Sequence, residues 1–244
     1  MKRLIVCGIA ICLCLYPVAA VAGGEQNIFV IGLWHIGEDQ CDMPEVEAIL
    51  TEAYRRIGAT VTFRCLPPKR DLVWADNLTI DASALRDKEV LRDHPNLVEV
   101  PVPLFQYSLC AFTANPDLTI HTWDDLQGHK VGATLGKMAP GIMLRRHSVD
   151  YQDFVSPVSA VSLLHKRRLE VFVHDCLSCK HIIQKLQLKD IISQPLYTGY
   201  AYHILNRKHE HIIPRLSDAF TDMIQDGTLK RLAGRFVPYL PGGP

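Results

Sequence analysis

The 244-residue sequence lacks the short motifs that prepare a nucleophile or a metal. It has no GxSxG elbow. His209-Glu210-His211 does not have the HExxH spacing that puts two imidazoles on one helix face, and reads as a surface turn. The single CxxC, Cys176-Leu177-Ser178-Cys179, is followed by Lys180 instead of histidine, which excludes c-type haem attachment. Basic residues never gather beyond Lys166-Arg167-Arg168, a solvated helix end, so no nucleic-acid footprint is present and no nucleic-acid partner is expected. There is no internal repeat and no low-complexity segment.

A continuous apolar run occurs at the N-terminus, from Leu4 to Tyr16, after Lys2-Arg3 and before Ala20-Val21-Ala22. That order of basic, apolar and small residues predicts a secretory signal peptide over 1–22, and the run is short for the ~20 residues of a membrane span. No cysteine stands where a lipoprotein cysteine would, so the expected product is soluble and periplasmic. Removing the first 22 of 244 residues takes out Lys2 and Arg3. The remaining 222 residues carry 24 basic and 26 acidic side chains, a net charge of −2. This length fits one large domain or two small lobes. Five cysteines remain, Cys41, Cys65, Cys110, Cys176 and Cys179, an odd number for an oxidising compartment. Cys41 precedes a helix and Cys65 ends the next strand, so a parallel sheet can bring them to one edge. The CxxC is open to a local disulfide, two buried thiols, a redox pair, or half of a metal site with His174 or His181.

Taken in order, the pattern is α/β. Asn27–Leu33 is a continuous apolar run of strand length, and Asp42, Pro44 and Glu45 have the spacing of a helix start. Val46, Ile49, Leu50, Ala53, Tyr54 and Ile57 fall on one helical face that Gly58 ends, and Thr60–Cys65 alternates as a strand. This βαβ opening sets a mostly parallel sheet. A short helix is expected over Asp71–Ala75, a brief strand at Ile80-Asp81 running into Ala82–Arg86, and strands over Asn96–Val102 and Tyr107–Thr113. Trp123–Lys137 then reads as a turn at Gly128, a strand to Ala133, and a loop of Thr134, Leu135 and Gly136 opening onto a helix, where free N–H groups receive polar ligands. Further strands are expected around Phe154 and at Leu169–Val173, Ile191–Ser193 and Tyr197–Leu205, with helices at Met138–His147, Ser159–Lys166, near His181, Ile213–Asp226 and from Thr228.

Several of these segments, in order, resemble the family 3 extracellular solute-binding proteins, the periplasmic receptors of polar amino acid uptake systems. Trp123–Gly132 is similar to that family's aspartate-leucine-x-glycine turn before a valine-glycine strand. Arg168–Asp175 is similar to its basic turn, hydrophobic strand and aspartate, and Asp226-Gly227-Thr228-Leu229 to its C-terminal helix start. Ile80–Arg86 with Pro95–Leu97 and Val100-Pro101 resembles its first-lobe segment. The likeness spans residues 27 to 237. It implies two α/β lobes with mostly parallel sheets joined by two crossing segments, the type II periplasmic binding protein architecture. Lobe 1 would comprise 27–112 plus 200–244 and lobe 2 would comprise 113–199, with crossings near Cys110–Ala114 and Leu196–His203. It further implies a monomer that captures a small polar ligand, an amino acid or related zwitterion, between lobes that close on a hinge. Such a protein delivers the ligand to an ABC-type membrane permease, with no cofactor, no metal and no chemistry.

The resemblance also assigns site residues. Asp175 falls where the family's aspartate meets an α-amino group; by its position it equally suits a helix N-cap. Arg86, reached from Thr79 through Ser83, is the nearest equivalent of a carboxylate-binding arginine, or else an ion-pair partner of Asp81 or Asp87. Thr134, Gly136 and Lys137 would offer N–H groups and charge to an anion. Trp34 and Trp74 would wall the cleft or pack in the lobe, and Asp81 is grouped with them. Two other readings stay open: a cleft enzyme of dehydratase type using His35, Glu38, His174 or Asp175 as acid or base, and a metal- or redox-linked binding module.

Overall fold

The computed structural model describes residues 28–34, 41, 43–134 and 138–242, with the backbone alone for Trp34 and Met138. The expected signal peptide over 1–22, the expected Asp42 cap and the loop assignments at 35–40 and 135–137 lie outside the described residues. No helix among the described residues is long and apolar enough to cross a membrane.

The chain begins β1 (Ile28–Trp34), α1 (Pro44–Arg56), β2 (Thr60–Leu66), α2 (Pro68–Asp76), β3 (Ala82–Asp87), β4 (Leu97–Glu99) and β5 (Phe105–Thr113). It continues with β6 (Val131–Thr134), α3 (Met138–Arg146), β7 (Tyr151–Phe154), α4 (Pro157–His165), β8 (Val171–Asp175), α5 (Cys176–Lys185), β9 (Ile192–Asn206), α6 (Ile213–Gln225) and α7 (Thr228–Ala233). The nine strands run in the order β2-β1-β3-β9-β5-β8-β6-β7, with β4 on β9. Parallel pairing holds on both flanks, among β1, β2 and β3 and among β6, β7 and β8. Every antiparallel pair includes β5 or β9, the long strands that run from one flank to the other. These are two α/β lobes, each around its own parallel strands, joined by two crossing strands.

In the first lobe, α1 buries Val46, Ile49, Leu50, Ala53 and Tyr54. They pack with Ile31 and Leu33 of β1 and Leu216 and Phe220 of α6. Pro44 opens α1, with acidic Glu45 and Glu47 in its first turn and Arg55 and Arg56 in its last, the arrangement that complements a helix dipole. Inside this core His203 donates through Nδ1 to the Ala84 carbonyl at 3.1 Å, which leaves Nε2 to accept the Tyr54 hydroxyl at 3.0 Å. Burial lowers the His203 pKa to about 4, so the ring is neutral. In the second lobe, β8 alternates: Val171 and Val173 face Leu126, Val131 and Leu144, while Phe172 faces Phe112, Val161 and Leu164. Trp123 is buried in this lobe and stacks on His147.

Four expectations change. Strand Asn96–Val102 shrinks to Leu97–Glu99, since Pro101 and Pro103 lack the N–H a ladder needs. Ile192–Asn206 is one strand; the register slips by one residue where Leu109 and Cys110 face Tyr197 and Pro195, and the strand runs through this bulge. The helix carrying His181 starts at Cys176, which places His181 mid-helix. Cys41–Cys65 forms, with Cα atoms 5.5 Å apart, but Cys176 pairs with Cys110 on β5 and not with Cys179. Cys179 is a buried free thiol whose pKa burial and Asp175 push up to about 12, which rules out a reactive thiolate at neutral pH. No cluster of potential metal ligands occurs among the described residues.

Candidate functional site

A cavity of about 250 Å³ lies between the lobes. The ends of β3 and the 3₁₀ turn after it (Arg86, Asp87, Glu89, Val90) form one wall; Ile142 and Met143 of α3 with Asp175 and Ser178 form the other. Tyr107 and Tyr197 on the crossing strands make the back, and Phe105, Phe236 and Tyr239 close the lobe-1 side. The lining is mostly apolar and aromatic, with a few convergent polar groups, the usual character of a small-molecule site.

Arg86 reaches this wall through an irregularity. Ser83 and Arg86 are three residues apart, so a regular strand would point them to opposite faces. The β3–β9 register shifts between them, which brings both side chains to Asp71. Asp71 Oδ2 accepts from the Ser83 hydroxyl at 2.5 Å and from the Arg86 guanidinium, which also donates to the Pro68 carbonyl at 3.3 Å. Asp71 is fully buried and Arg86 is 6% exposed. Asp71 fits because residue 32 is glycine: a Cβ there would lie 1.7 Å from Asp71 Oδ1. Among the described residues the ion-pair partner is thus Asp71 of α2, in place of the expected Asp81 or Asp87.

Asp87 lines the cavity and ties the two crossing strands to the end of β3. Its Oδ2 accepts from the Tyr107 hydroxyl at 2.5 Å and the Tyr197 hydroxyl at 3.3 Å, and its Oδ1 accepts from the Glu89 N–H at 2.8 Å. The two rings converge over Gly199, where a Cβ would come within 2.6 Å of both. Burial, followed by the Asp87 charge, raises both phenol pKa values, that of Tyr197 to about 12, so both hydroxyls stay donors.

On the second wall Asp175 does two things. It is the N-cap of α5, accepting from the Ser178 N–H at 2.8 Å, and the same Oδ1 accepts from the Tyr239 hydroxyl at 3.1 Å across the cleft. Tyr239, its pKa raised to about 12 chiefly by burial, also lies 3.4 Å from the Ser178 hydroxyl. Arg146 of α3 meets Glu89 at 2.5 Å, and Ile142 packs against the lobe-1 cluster containing Val90. The lobes therefore touch on both sides of the cavity, a closed arrangement.

Of the residues named from sequence, the cavity joins Arg86 and Asp175. Trp74 packs against the Leu72–Ile80–Leu97 cluster and does not line the cavity. Asp81 holds the Val30 N–H at 2.7 Å and His209 Nε2 at 2.7 Å, also off the lining. Thr134 ends β6 buried, its hydroxyl without a partner among the described residues, and is not in the lining. Gly136, Lys137 and the Trp34 side chain lie outside the described residues, as do His35 and Glu38. His174 is buried, with Nδ1 on the Asp175 carbonyl at 3.3 Å, and is not in the lining. Asp87, Glu89, Tyr107, Tyr197 and Tyr239 were not singled out from sequence. The only signal for Asp87 is its place beside Arg86 at a strand end; the tyrosines have none.

No protein-family profile matches the chain. A protein of unassigned role from Shewanella oneidensis is 23% identical over 194 residues, covering 76% of this chain and 73% of that one. Among solved structures, an ancestral arginine-binding protein bound to arginine has a TM-score of 0.65 at 14% identity, covering 87% of this chain and 99% of its own. A histidine kinase sensor domain with similarity to periplasmic binding proteins has 0.67 at 14%, covering 89% and 99%. A chain from glutathione import via GshT and the cystine ABC importer TcyBC of Streptococcus mutans has 0.66 at 13%, covering 88% and 98%. The fold is that of the two-lobe solute-binding proteins.

Proposed function

We propose that this chain is a periplasmic capture protein. It binds a small polar molecule of amino-acid size in the cleft between lobes 27–112 plus 200–244 and 113–199, and presents it to an ABC-type permease as a monomer. The observation that carries this reading is the cavity with contributions from both lobes, bridged by the Asp175–Tyr239 contact at 3.1 Å. A ligand that touches both walls binds the closed form better than the open form and so drives closure. Among the structural neighbours, one is an arginine-binding protein, one is a sensor domain similar to periplasmic binding proteins, and one is linked by its description to an ABC importer. The leader-like N-terminus supports export. Of the two acid–base candidates among the described residues, His174 is off the lining and Asp175 on it, where Asp175 is already a helix cap.

The test starts from protein unfolded in guanidinium with disulfides intact, to strip any carried ligand, and then refolded. A panel of amino acids, amines, carboxylates, short peptides and metal ions follows. A true ligand at a hundredfold excess over Kd should raise Tm by about 5–10 °C. It should also be recovered unchanged. Consumption of the ligand would favour the enzyme reading. No shift across the panel, together with no small molecule released on unfolding, would overturn capture.

A further inference from the structure

Resting on the capture reading, we infer that the cleft selects a small organic amine with an apolar body and no carboxylate, not a zwitterionic amino acid. A zwitterion needs a cationic fork at one end and an acceptor at the other. Among the described residues lining the cavity, Arg86 is the only cation, and its charge is matched from behind by Asp71. Asp71 is fully buried between Gly32, Ser83 and Arg86. A ligand carboxylate docking on Arg86 would be a second anion on one guanidinium, or would strand the Asp71 charge in the core; both are unfavourable.

The acceptor side is oversupplied. The lining carries three carboxylates, Asp87, Glu89 and Asp175. Glu89 has a counter-charge in Arg146. Among the described residues, Asp87 and Asp175 receive only neutral donors, two tyrosine hydroxyls and an N–H for the first, a tyrosine hydroxyl and an N–H for the second. These two carboxylates stand on opposite walls, so an ammonium in the cleft is drawn to both lobes. Phe105, Phe236 and Tyr239 add aromatic surface, which suits both an apolar stem and a cation held over a ring. Among the described residues, the pattern of two carboxylates without a cationic partner, one cation paired from within and an aromatic lining fits an amine. The volume of about 250 Å³ lies below the ~300–1,000 Å³ typical of drug-sized ligands, which keeps the amine small.

Matched pairs that differ by one carboxylate test this directly. Isothermal titration of the refolded protein would compare cadaverine with lysine, agmatine with arginine and tyramine with tyrosine. The expected result is tighter binding of at least one decarboxylated member, by about tenfold or more over its amino acid. Asp87→Asn and Asp175→Asn should each weaken that amine by about tenfold or more. Asp71→Asn, which removes the internal counter-charge of Arg86, should move the preference toward the amino acid. If that variant does not fold, the two asparagine variants at the cavity decide. Tighter binding of the amino acid in every pair that binds overturns the inference and leaves capture standing. No binding by any of the six also overturns it, and capture is then judged separately by the wider panel and by ligand released on unfolding.

Discussion

The two walls of the cleft each present a charged side chain at the carboxyl end of a strand, Arg86 on β3 and Asp175 on β8, and the structure treats them in opposite ways. Arg86 is 6% exposed and has its counter-ion beneath it in Asp71, with Ser83 on the same oxygen. Asp175 is half-buried, held by a helix N–H from its own lobe and a hydroxyl from the other, and no cation stands beside it among the described residues. The same position in an α/β lobe can thus hold a charge that belongs to the fold or one still open to a ligand. What separates them is whether the neighbouring elements have already neutralised it. Arg86 is a stability device that also borders the cavity, and Asp175 is a contact surface.

That contrast is broken or sharpened first at Asp71. Asp71→Ala strands a buried guanidinium and should cost about 3–5 kcal/mol in urea unfolding. Adding Arg86→Met should restore most of it, because the pair is then gone and not half-present. A loss under 1 kcal/mol for the single variant would show that Arg86 is solvated and available after all.

Next comes the polar network behind the same wall. His203 has its pKa lowered from the ordinary 6.5 to about 4 by burial. The unfolded chain therefore binds more protons than the folded one between those values, and stability falls as pH drops through that window. The contribution lost from above pH 6.5 to below about 4 is on the order of 3 kcal/mol. Urea midpoints across this range should decline more steeply for the native protein than for His203→Gln, where this component is absent; parallel slopes would contradict a buried neutral imidazole.

The smallest effect on stability is expected at the second wall. Arg146 and Glu89 are partly exposed, so Arg146→Ala should change unfolding by less than about 1 kcal/mol. Its effect should show in ligand binding, because the pair joins the two lobes beside the cavity. Unchanged affinity in this variant would mean that the ion pair does not count toward closure.

The outline of the fold was legible because it rests on local pattern. The apolar run of β1, the single apolar stripe of α1 and the glycine after it are readable one element at a time. The Cys41–Cys65 pair follows once β1 and β2 are parallel neighbours. Other features depend on tertiary context. The register shift in β3 turns Ser83 and Arg86 to one face, which strand alternation denies. The Cys110–Cys176 bridge depends on β5 lying antiparallel to β8, where Cys110 sits opposite His174. The site was half legible for the same reason. A charge at a strand end marks Arg86 and Asp175, but nothing local marks Tyr107, Tyr197 or Tyr239, which converge from three distant segments on carboxylates supplied by others. Trp74 and Asp81 look like site residues by type and position, yet one packs against the Leu72–Ile80–Leu97 cluster and the other ties Val30 to His209.

Ligand-driven closure on the cavity is tested most directly by small-angle X-ray scattering of the stripped and refolded protein, with and without saturating amounts of the compound that raises Tm most. The account predicts a smaller radius of gyration on addition of the compound, and no change in Asp175→Asn, whose retained N-cap keeps it folded. An identical radius with and without a compound that demonstrably binds would contradict it.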